Sequence, residues 1–504
     1  MGAEVEGSTC SSTRAVVFLP DLRGLRVHMV GIGGSGMSGA AALLNQLGAN
    51  VSGSDLVPFD GMGELVAGGV RVSVGHRATH VEKGVKLVIA SAAIPETNPE
   101  LIRARARSLP VLKYAELLGG LMGLREGVAV AGTHGKSTTS GMTAYLFQRA
   151  GLSPAFAIGA RSTQLGGSSG LGSGRHFIVE SCEFDRSFLR LYPKLATILN
   201  VEPDHLDCYR DLDEIVRAFA EFASNVEPNG VLICNGEDRC AVHAAESCQA
   251  RVETFGFDSK ADWRAANLRS SRGVYSFDVV YRKEHYCSTG VSLPGRYMVA
   301  NALAAIALAH HAGASASWIA QALPDFAGMQ RRMTLRGQWG GVTIVDDYAH
   351  HPTEIRVTLD AVRSLYQPRR LRVIFQPHQT TRTLHFLTQF AESFGDTGEI
   401  IVTDVYGARE EQEKQESASR QLVDKMILVG APGRHIPKLE DVAAELVGTL
   451  EPGDLVMTVG AGDVWKVANE LVERLCNTDR AGRPDRQADV VSPGGAGAIS
   501  VSTS

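Results

Sequence analysis

The sequence predicts an α/β fold of three domains: an N-terminal Rossmann-like domain, a central P-loop-type parallel sheet with a small antiparallel insertion, and a C-terminal Rossmann-like domain. Three observations predict this fold class. At 504 residues the chain is longer than one hydrophobic core usually organises. Short apolar runs alternate with helical segments along most of it, as in βαβ units. Two glycine-rich stretches, at 31–36 and 132–137, each follow an apolar run at the point where a strand gives way to a helix.

The first Rossmann-like unit is predicted over residues 23–124, after an N-terminal extension of residues 1–22. Its first apolar run leads directly into a glycine-rich stretch, and a helical segment and a second strand follow. This order is a strand-loop-helix-strand unit. The predicted elements are a strand at 25–30, a helix at 37–47, a strand at 50–55, and strands at 85–90 and 111–112.

The central domain is predicted over residues 125–330. It begins with an apolar strand before the second glycine-rich stretch, and its later part changes to short alternating strands, which indicates an antiparallel insertion. The predicted elements are strand 127–131, helix 137–150, a Gly/Ser-rich loop at 166–174, strands 176–179 and 195–199, alternating strands over 252–282, and helix 300–312.

The third domain is predicted over residues 331–477 and again alternates strands with helices. Residues 478–504 are rich in Gly, Ser, Asp, Arg and Pro without periodicity, so we expect a disordered tail there. The predicted elements are strands at 342–346, 371–376, 399–404 and 454–459, and helices at 354–364 and 383–394.

Composition narrows the class of function. A formal net charge of -5 with 44% hydrophobic and 21% charged residues argues against a general nucleic-acid or membrane-surface binder. The sequence shows no secretory signal and no run long enough to span a bilayer, and Glu6 stands where a myristoylation motif needs Ser or Thr. The eight cysteines lack Cys-x-x-Cys spacing, which indicates reduced thiols. We therefore expect a cytoplasmic protein.

The stretch Gly132-Thr-His-Gly-Lys-Ser137 has the composition of a phosphate-binding loop. Backbone N–H groups and the helix N-terminus would converge on the anion, Lys136 would neutralise phosphate charge, and the Ser137 hydroxyl would reach Mg2+. Val130 replaces the first glycine of the usual Walker spacing, so the loop is a shortened variant. The alternative is a tight strand-to-helix turn with an exposed lysine.

The stretch Gly31-x-Gly33-x-x-Gly36, with Asp55 nineteen positions further on, fits a dinucleotide fingerprint. Its glycines would let the backbone approach a pyrophosphate, and the acid would meet a ribose. Alone it suggests a dehydrogenase. A sugar nucleotide is as plausible as NAD, however, because the same geometry serves any nucleotide diphosphate. The glycines could also serve only close helix-strand packing.

Acidic side chains follow two predicted strands of the central domain. Because the carboxyl ends of parallel strands meet at one sheet edge, these groups would lie where a phosphate loop needs Mg2+ ligands. Separately each is also consistent with a helix cap or a surface residue. The residues are Glu180, Glu183, Asp185, Asp204, His205 and Asp207.

In the third domain the polar block 346–354, Asp-Asp-Tyr-Ala-His-His-Pro-Thr-Glu, follows a strand and opens a helix. A helix start explains Pro352 and Thr353, but two adjacent acids beside two histidines exceed what a cap requires. His378 and Arg382 form a second polar group at a strand end.

Taken in order, these motifs resemble the Mur ligases, and within that family the alanine-adding branch, over nearly the whole chain to about Val472. Several long motifs in one order are far more specific than any one of them. The resemblance is carried by 31–39 (Gly-Ile-Gly-Gly-Ser-Gly-Met-Ser-Gly), 53–55, 91–95, 132–139, 187–189, 200–207 (Asn-Val-Glu-Pro-Asp-His-Leu-Asp), 346–354, 375–378 and 460–463.

The resemblance implies an ATP-dependent ligase of peptidoglycan precursor synthesis with ATP and Mg2+ as cofactors. ATP would phosphorylate the lactyl carboxylate of UDP-N-acetylmuramate, and the amine of L-alanine would displace phosphate from the acyl phosphate. The first domain would hold UDP, the second ATP, and the third would close over ATP and receive the amino acid. Small-molecule substrates would be the partners, and the protein would be a monomer or weak homodimer.

The resemblance also assigns site residues by matching position. The catalytic residues would be Lys136, Glu180, His205 and His350, and the Mg2+ ligands Ser137, Glu180 and His205. ATP would be bound by Gly132, Thr133, His134, Gly135, Lys136, Ser137, Thr138, Asn301, Arg332 and Asp346. The UDP-sugar would be bound by Gly31, Gly33, Gly34, Ser35, Gly36, Ser54, Asp55, Ser91, His378 and Arg382.

The chain departs from the family pattern at three places. Cys182 replaces an acid and Phe184 a small polar residue after the strand that carries Glu180. Tyr297 and Met298 replace the His-Asn pair that flanks adenine, and an aromatic ring and a thioether could still sandwich a purine. Gln379 and Thr380 replace Arg and Tyr after His378. No lysine occurs between Lys194 and Lys260, as expected for the alanine-adding branch, which lacks the carbamoylated lysine of many relatives.

Alternative functions remain open from the sequence. A nicotinamide dehydrogenase would use only the first glycine loop. A divergent nucleotide-binding homologue without catalysis would fit the substitutions at Cys182, Tyr297 and Gln379. A recycling ligase that adds a peptide to the same sugar nucleotide shares the phosphate loop. The preference among Ala, Ser and Gly stays open because a methyl-sized pocket discriminates by only about 1–3 kcal/mol.

Overall fold

The computed structural model of the protein describes residues 19–407 and 411–482, apart from the side chains of Ser35 and of 478–482. The expected extension and tail therefore fall largely outside the described residues. Three sheets follow one another along the chain, as the sequence predicts, and each is flanked by helices. The last helix continues to Gly482, five residues beyond the predicted end of the third domain. The sequence did not predict this extension because polar residues dominate the end of the helix.

The N-terminal sheet has five parallel strands in the order β3-β2-β1-β4-β5. Strand β4 is a continuous apolar run and β1 is buried from Val27 to Val30, as is usual for inner strands of a parallel sheet covered by helices. The elements are β1 Arg26–Val30, α1 Ser35–Gln46, β2 Asn50–Asp55, α2 Met62–Ala67, β3 Arg71–Val74, β4 Leu87–Ala90, α3 Pro99–Ala106, β5 Val111–Lys113 and α4 Tyr114–Met122.

The central sheet has ten strands in the order β15-β14-β13-β12-β11-β10-β6-β9-β7-β8. The first strand of the domain, β6, lies between β9 and β10. The strands and helices are β6 Glu126–Ala131, α5 Lys136–Arg149, β7 Ala155–Ser162, β8 Gly167–Gly170, β9 His176–Glu180, β10 Leu195–Ile198, α6 Leu212–Ser224, β11 Val231–Asn235, α7 Arg239–Ala245, β12 Arg251–Gly256, β13 Trp263–Ser271, β14 Val274–Tyr281, β15 Glu284–Gly290, α8 Arg296–His311 and α9 Ala316–Ala322.

Two features of the central sheet bear on the sequence predictions. The antiparallel insertion is confirmed, but β13, β14 and β15 extend the edge of the same sheet instead of forming a separate one. The segment predicted as a Gly/Ser-rich loop contains β8, which pairs antiparallel with β7. Backbone pairing there needs no β-propensity from the side chains, so composition alone predicted a loop.

The C-terminal sheet has six strands in the order β16-β17-β21-β18-β19-β20, with only β16 antiparallel. The predicted helix at 383–394 is two short helices that meet at Phe386. The elements are β16 Thr334–Trp339, β17 Val342–Asp347, α10 Pro352–Tyr366, β18 Arg370–Phe375, α11 Thr380–His385, α12 Leu387–Glu392, β19 Glu399–Val402, α13 Gln412–Leu428, β20 Gly433–His435, α14 Leu439–Val447, β21 Asp454–Val459 and α15 Trp465–Gly482.

The N-terminal and central sheets share one hydrophobic core. This cluster of buried side chains runs without interruption from Val27 in β1 through Leu117 in α4 to Phe219 in α6. Polar contacts add to it, including a 2.8 Å bond from the Ser169 hydroxyl of β8 to the Gly39 carbonyl of α1. The C-terminal sheet has separate clusters on its two faces. The first two domains are therefore packed more closely together than either is with the third.

Within 19–407 and 411–482, no helix is both long and apolar enough to cross a lipid bilayer. The seven cysteines found there are free thiols, as their spacing indicated, and Cys10 lies outside the described residues.

A buried carboxylate with three neighbouring histidines lies inside the N-terminal domain. The Glu100 side chain accepts bonds from the Ser54 hydroxyl at 2.5 Å and from His80 Nδ1 at 2.7 Å, and His28 and His76 lie within 3.6 Å. Burial alone would raise the pKa of Glu100, but hydrogen bonds from His28, Ser54 and His80 lower it to about 2. The carboxylate is therefore a charged structural centre behind strand β2.

Replacing Glu100 by Gln is expected to lower the free energy of unfolding at pH 7 by about 3 kcal/mol, because the pKa falls from 4.5 to about 2 on folding. The folded-state pKa is the lower one, so this stability is complete above pH 4.5 and is lost as the pH falls towards 2. Urea unfolding of wild type and E100Q from pH 7 to pH 3 should show a difference that narrows with acidity. The control E64Q removes a carboxylate that is 68% exposed and should change stability by less than about 1 kcal/mol. A constant difference across the pH range would contradict the assignment.

Candidate functional site

The second glycine stretch lies at the carboxyl edge of the central sheet. It follows β6, and the two strands that pair with β6 end beside it: β9 with Glu180 opposite Val130, and β10 with Asn200 two residues after its end. Asn200 holds the loop, since its Oδ1 accepts the His134 N–H at 2.7 Å and its carbonyl accepts the Thr133 N–H at 3.0 Å. Neighbouring parallel strands thus bring the predicted groups to one edge.

Two glycines of the loop are required by its conformation. Gly132 has φ 144° and Gly135 has φ 82°, both in regions that side chains rarely adopt. A Cβ on Gly132 would meet Leu199, and one on Gly135 would lie 2.8 Å from Oδ1 of Asn301. The loop therefore runs close against β10 and α8, and the predicted ATP residue Asn301 does lie beside it.

Lys136 begins helix α5 with its ammonium turned back over the loop. It donates to the carbonyls of Gly132 and Thr133 at 2.7 and 2.9 Å and to the Glu183 carboxylate at 2.8 Å. Burial alone would lower the pKa of Lys136, but the charge of Glu183 outweighs it and raises the pKa. The lysine is therefore a fixed positive charge in the middle of the loop.

The predicted metal ligands Ser137 and Glu180 are in contact. The Ser137 hydroxyl donates to Oε1 of Glu180 at 2.9 Å, and Oε2 of Glu180 accepts the Gly159 N–H at 2.6 Å. A hydroxyl and a carboxylate beside a phosphate loop are hard oxygen donors, which is the set that Mg2+ prefers. Thr138, the next residue, is buried in the first turn of α5.

The third predicted ligand, His205, lies on the other side of Lys136. Its backbone is in the left-handed region (φ 51°), and its Nε2 is 3.8 Å from both Glu183 and Asp204. Its Nδ1 is buried without a hydrogen-bond partner, and its ring is 5.2 Å from that of Phe184. The divergent Phe184 therefore packs against a predicted catalytic side chain.

Cys182 lies between these groups and lines the same cavity. The Cys182 side chain is exposed at the cavity wall; desolvation by the surrounding protein, with the nearby Glu183 carboxylate, raises the pKa of its thiol. A thiol therefore stands where the resemblance predicts an acid.

The C-terminal domain brings Glu354 and His350 to the phosphate loop. Glu354 accepts the His350 N–H at 3.0 Å and is 3.2 Å from Nδ1 of His134, while Arg332 lies 4.0 Å from it. Burial would raise the pKa of Glu354, but these neighbours, His350 and His134 before Arg332, lower it well below its usual range. Burial lowers the pKa of His350 to about 3, so its imidazole is neutral.

A buried ion pair joins the central and C-terminal domains beside this site. Nη2 and Nε of Arg382 donate to Oδ1 of Asp204 at 2.7 and 2.9 Å. Burial opposes ionisation of Asp204, but the adjacent His205 and Arg382 lower its pKa. His378 stacks on Tyr406 with the ring centroids 5.7 Å apart and is 3.2 Å from Arg382. The guanidinium predicted to bind the UDP-sugar is therefore paired with an acid in the other domain.

The first glycine stretch faces the same space. Gly33 donates its N–H to Oδ2 of Asp55 at 2.8 Å, so the predicted ribose ligand also fixes the loop. Phe59 and Tyr114 cover the loop closely, since a Cβ on Gly33 or Gly36 would meet them. The remaining predicted positions are consistent with a loop: Gly31 at φ 78°, Gly34 at the cap of α1, Ser35 as its first residue, and Ser91 directly after β4.

One cavity of about 2430 Å3 connects these parts. Its walls come from all three domains, so it can hold a ligand that reaches from the first glycine loop to the third domain. Lining residues include Gly36, Tyr114, Lys136, Ser137, Glu180, His205, Arg332 and His350.

The structure does not bring every predicted residue to this cavity. Ser54, within β2, is buried and bonded to Glu100. Asp346 is fully buried and bonded to Arg331, Arg336 and Thr458, so it orders the arginines that line the cavity instead of reaching it. Both residues were assigned to ligands by matching position in the resemblance, but each side chain lies on a buried face of its strand.

The predicted adenine sandwich is also not formed. Met298 is 2% exposed and belongs to the core of the central domain. Tyr297 packs against the cores of both the central and the C-terminal domain, and its hydroxyl lies 3.6 Å from the sulfur of Met333. Tyr297 therefore lies at the contact between the central and the C-terminal domain.

From the sequence, Asn200 and Glu202 had no assigned role, and Glu183 was predicted only among the acids near the Mg2+ site. In the structure Glu183 pairs with Lys136, Asn200 holds the loop, and Glu202 accepts the Thr353 hydroxyl from the C-terminal domain at 2.8 Å. Each stands two to four residues after the end of a strand that neighbours β6. Strand order, which the sequence does not give, was the missing signal.

Comparison with known proteins identifies the family. The model described as "Mur ligase family, catalytic domain" matches residues 26–126, the "Mur ligase middle domain" matches 130–309, and the "Mur ligase, glutamate ligase domain" matches 331–462. Together they cover all three sheets.

Curated relatives and solved structures agree. The chain is 37% identical over 449 residues to a UDP-N-acetylmuramate--L-alanine ligase of Clostridium novyi, covering 89% of this chain and 97% of that one. It is 39% identical to the Salinibacter ruber enzyme of the same name, covering 90% and 95%. A UDP-N-acetylmuramate-alanine ligase structure from Thermotoga maritima matches with TM-score 0.78 at 27% identity, covering 90% and 100%. A murein peptide ligase from Psychrobacter arcticus matches with TM-score 0.71 at 25% identity, covering 90% and 99%. The chain therefore belongs to the Mur ligase family.

Proposed function

We propose that the protein is an ATP-dependent ligase that joins L-alanine to UDP-N-acetylmuramate, a step of peptidoglycan precursor synthesis. The observation that carries this proposal is the single cavity that links the first glycine loop, the phosphate loop and the C-terminal domain. A sugar nucleotide, ATP and an amino acid can meet there. The curated relatives, at 37–39% identity over about nine-tenths of the chain, support alanine as the acceptor.

The proposed reaction has two steps. The carboxylate of the sugar nucleotide attacks the γ-phosphorus of ATP, which releases ADP and leaves an acyl phosphate. The amine of L-alanine then attacks the acyl carbon, and the tetrahedral intermediate expels phosphate and loses a proton to give the amide. The protein contributes positioning and charge stabilisation. Lys136 supplies a fixed positive charge over the loop that would carry the transferred phosphoryl group.

Magnesium suits the donor set of the site. We propose that Ser137 and Glu180, in contact at 2.9 Å, would hold one ion, and that His205, whose Nδ1 is buried without a hydrogen-bond partner, would be a ligand of a second. When bound, Mg2+ neutralises charge on the phosphate oxygens.

His350 is placed to receive the amino acid. Its Nδ1 is 3.1 Å from the Tyr348 carbonyl, which fixes that nitrogen as the donor and leaves Nε2 as an acceptor. With its pKa lowered to about 3 by burial, the ring stays neutral and can accept a hydrogen bond from the incoming amine. We propose that His350 orients the nucleophile.

We also propose that the ligase works in the cytoplasm, where its nucleotide substrates are made, as a monomer or weak homodimer. The proposed domain boundaries lie near residues 22, 124 and 330, and the third domain includes α15.

A test of the function measures phosphate release from ATP and UDP-N-acetylmuramate with L-alanine, L-serine, glycine or a tripeptide as acceptor. Release is expected to be fastest with L-alanine, and the product should carry the added alanine mass. Release with the tripeptide alone would select the recycling ligase. No release with any acceptor would contradict the ligase proposal.

Replacing Lys136 by Met is expected to lower kcat about 100- to 1000-fold, because one preorganised charge at a developing anion is lost. The variant also leaves Glu183 buried without its partner, which lowers stability. The double variant K136M/E183Q removes both charges and should regain stability without regaining turnover. Lys438→Met, an exposed lysine 67% accessible, is the matched control. Turnover within tenfold of wild type in the double variant would contradict the role of Lys136.

The Asp204–Arg382 pair is expected to couple the two domains. In a double-mutant cycle of D204N and R382M, the two losses of stability should be non-additive by about 2–3 kcal/mol, because both charges are buried and contact each other. The exposed pair Arg71–Glu82 should give a coupling free energy below about 1 kcal/mol. Additive effects at Asp204 and Arg382 would show that the pair does not hold the domains together.

A further inference from the structure

Two histidines and a glutamate meet where the phosphate loop contacts the C-terminal domain. They are His134 in the loop, Glu202 after β10, and His351 at the start of α10. Their candidate ligand atoms all lie within 4.8 Å of one another. Nε2 of His134 is 3.5 Å and Nδ1 of His351 is 4.0 Å from Oε2 of Glu202, and the two imidazole centroids are 4.6 Å apart.

Each imidazole has its outer nitrogen held by another group. Nδ1 of His134 faces Oε1 of Glu354 at 3.2 Å, and Nε2 of His351 faces the Pro203 carbonyl at 3.2 Å. Carboxylates and backbone carbonyls in these positions orient the ring and fix the tautomer in metal sites, leaving the other nitrogen as the ligand.

The inner nitrogens are the ones left available. Nε2 of His134 is buried and has no hydrogen-bond partner. Nδ1 of His351 accepts only a long 3.3 Å bond from the Thr353 N–H. Oε2 of Glu202 accepts the Thr353 hydroxyl at 2.8 Å, so the carboxylate is itself held in place. Three ligand atoms converge from preset directions.

We propose that His134, Glu202 and His351 form a binding site for a divalent transition-metal ion of the zinc class, bridging the central and C-terminal domains. Two imidazole nitrogens and one carboxylate suit Zn2+, which takes three protein ligands at about 2.0–2.2 Å and a fourth position open to water. The present separations need side-chain movements of only about an ångström to reach that geometry. Mg2+ prefers oxygen ligands, so this site is separate from that of Ser137 and Glu180.

The charges around the site favour a cation. Two carboxylates face His134: Oε2 of Glu202 lies 3.5 Å from its Nε2, and Oε1 of Glu354 lies 3.2 Å from its Nδ1. A metal ion between His134, Glu202 and His351 would place positive charge beside both carboxylates. It would also tie the phosphate loop to the third domain and oppose their separation.

The test measures Zn2+ binding to the full chain by calorimetry in excess Mg2+, without nucleotide. Wild type should bind one Zn2+ per chain and show a higher thermal midpoint that a chelator reverses. H351Q and H134Q should bind at least about tenfold more weakly, the loss seen when even an outer partner of a ligand is removed. The control H243Q replaces a histidine that is 71% exposed and should bind as wild type does.

A carboxylate variant and a second metal ion test the same site. E202Q retains the shape and the Thr353 contact but loses the charged ligand, so it should weaken binding even if a histidine variant folds poorly. Co2+ should give the visible bands of a low-coordinate nitrogen and oxygen site. Equal affinity in H351Q, E202Q and wild type, or no binding by wild type, would overturn the proposal. An intense sulfur-to-cobalt band would also overturn it, by showing that a cysteine binds the ion.

Discussion

The Lys136–Glu183 ion pair is the contact around which the candidate site is arranged. It fixes the ammonium over the loop carbonyls, and the same carboxylate lies 3.8 Å from His205. A charged lysine is tolerated in this enclosed place only because a carboxylate and two carbonyls surround it. The phosphate loop, the two acids after β9 and the histidine after β10 therefore form one electrostatic unit. Their strands are neighbours of β6, so the parallel sheet determines the spacing.

Many of the candidate site residues lie at the boundary between the central and the C-terminal domain. Asp204, His205 and Glu202 approach it from the central domain, while His350, Glu354 and Arg382 approach from the third. Buried charges on each side are satisfied by partners on the other. Because an unpaired buried charge is costly, each domain depends on the other for the ionisation state of its own site residues.

The fold class could be predicted from the sequence, because a glycine-rich stretch after an apolar run indicates a strand-loop-helix unit from local sequence alone. Most strands agree within one or two residues, including β2 and β21. Prediction from the sequence failed where strand pairing or burial depends on distant parts of the chain. Strand β8 lacks the residues typical of strands, and the burial of Asp346 and Met298 depends on which face of their strand or helix points inwards. Lys136 and Ser137 were predicted from the glycine-rich stretch that contains them, and Glu180 and Glu183 from the end of an apolar strand. The pairing of Glu183 with Lys136 and the role of Asn200 depend on the order of strands around β6.

The shared core of the N-terminal and central domains determines how the molecule can move. One apolar cluster crosses their boundary from β1 to α6, whereas the third domain meets the central one through polar contacts and a few side chains such as Leu206 and Tyr297. Water can replace ion pairs and hydrogen bonds far more readily than it can enter a close-packed apolar core. The first two domains thus form one unit, and the third domain forms a second unit. We therefore expect any separation of the domains to occur in the connection between α9 and the third domain, near residues 323–333, where Arg331 and Met333 adopt left-handed backbone angles.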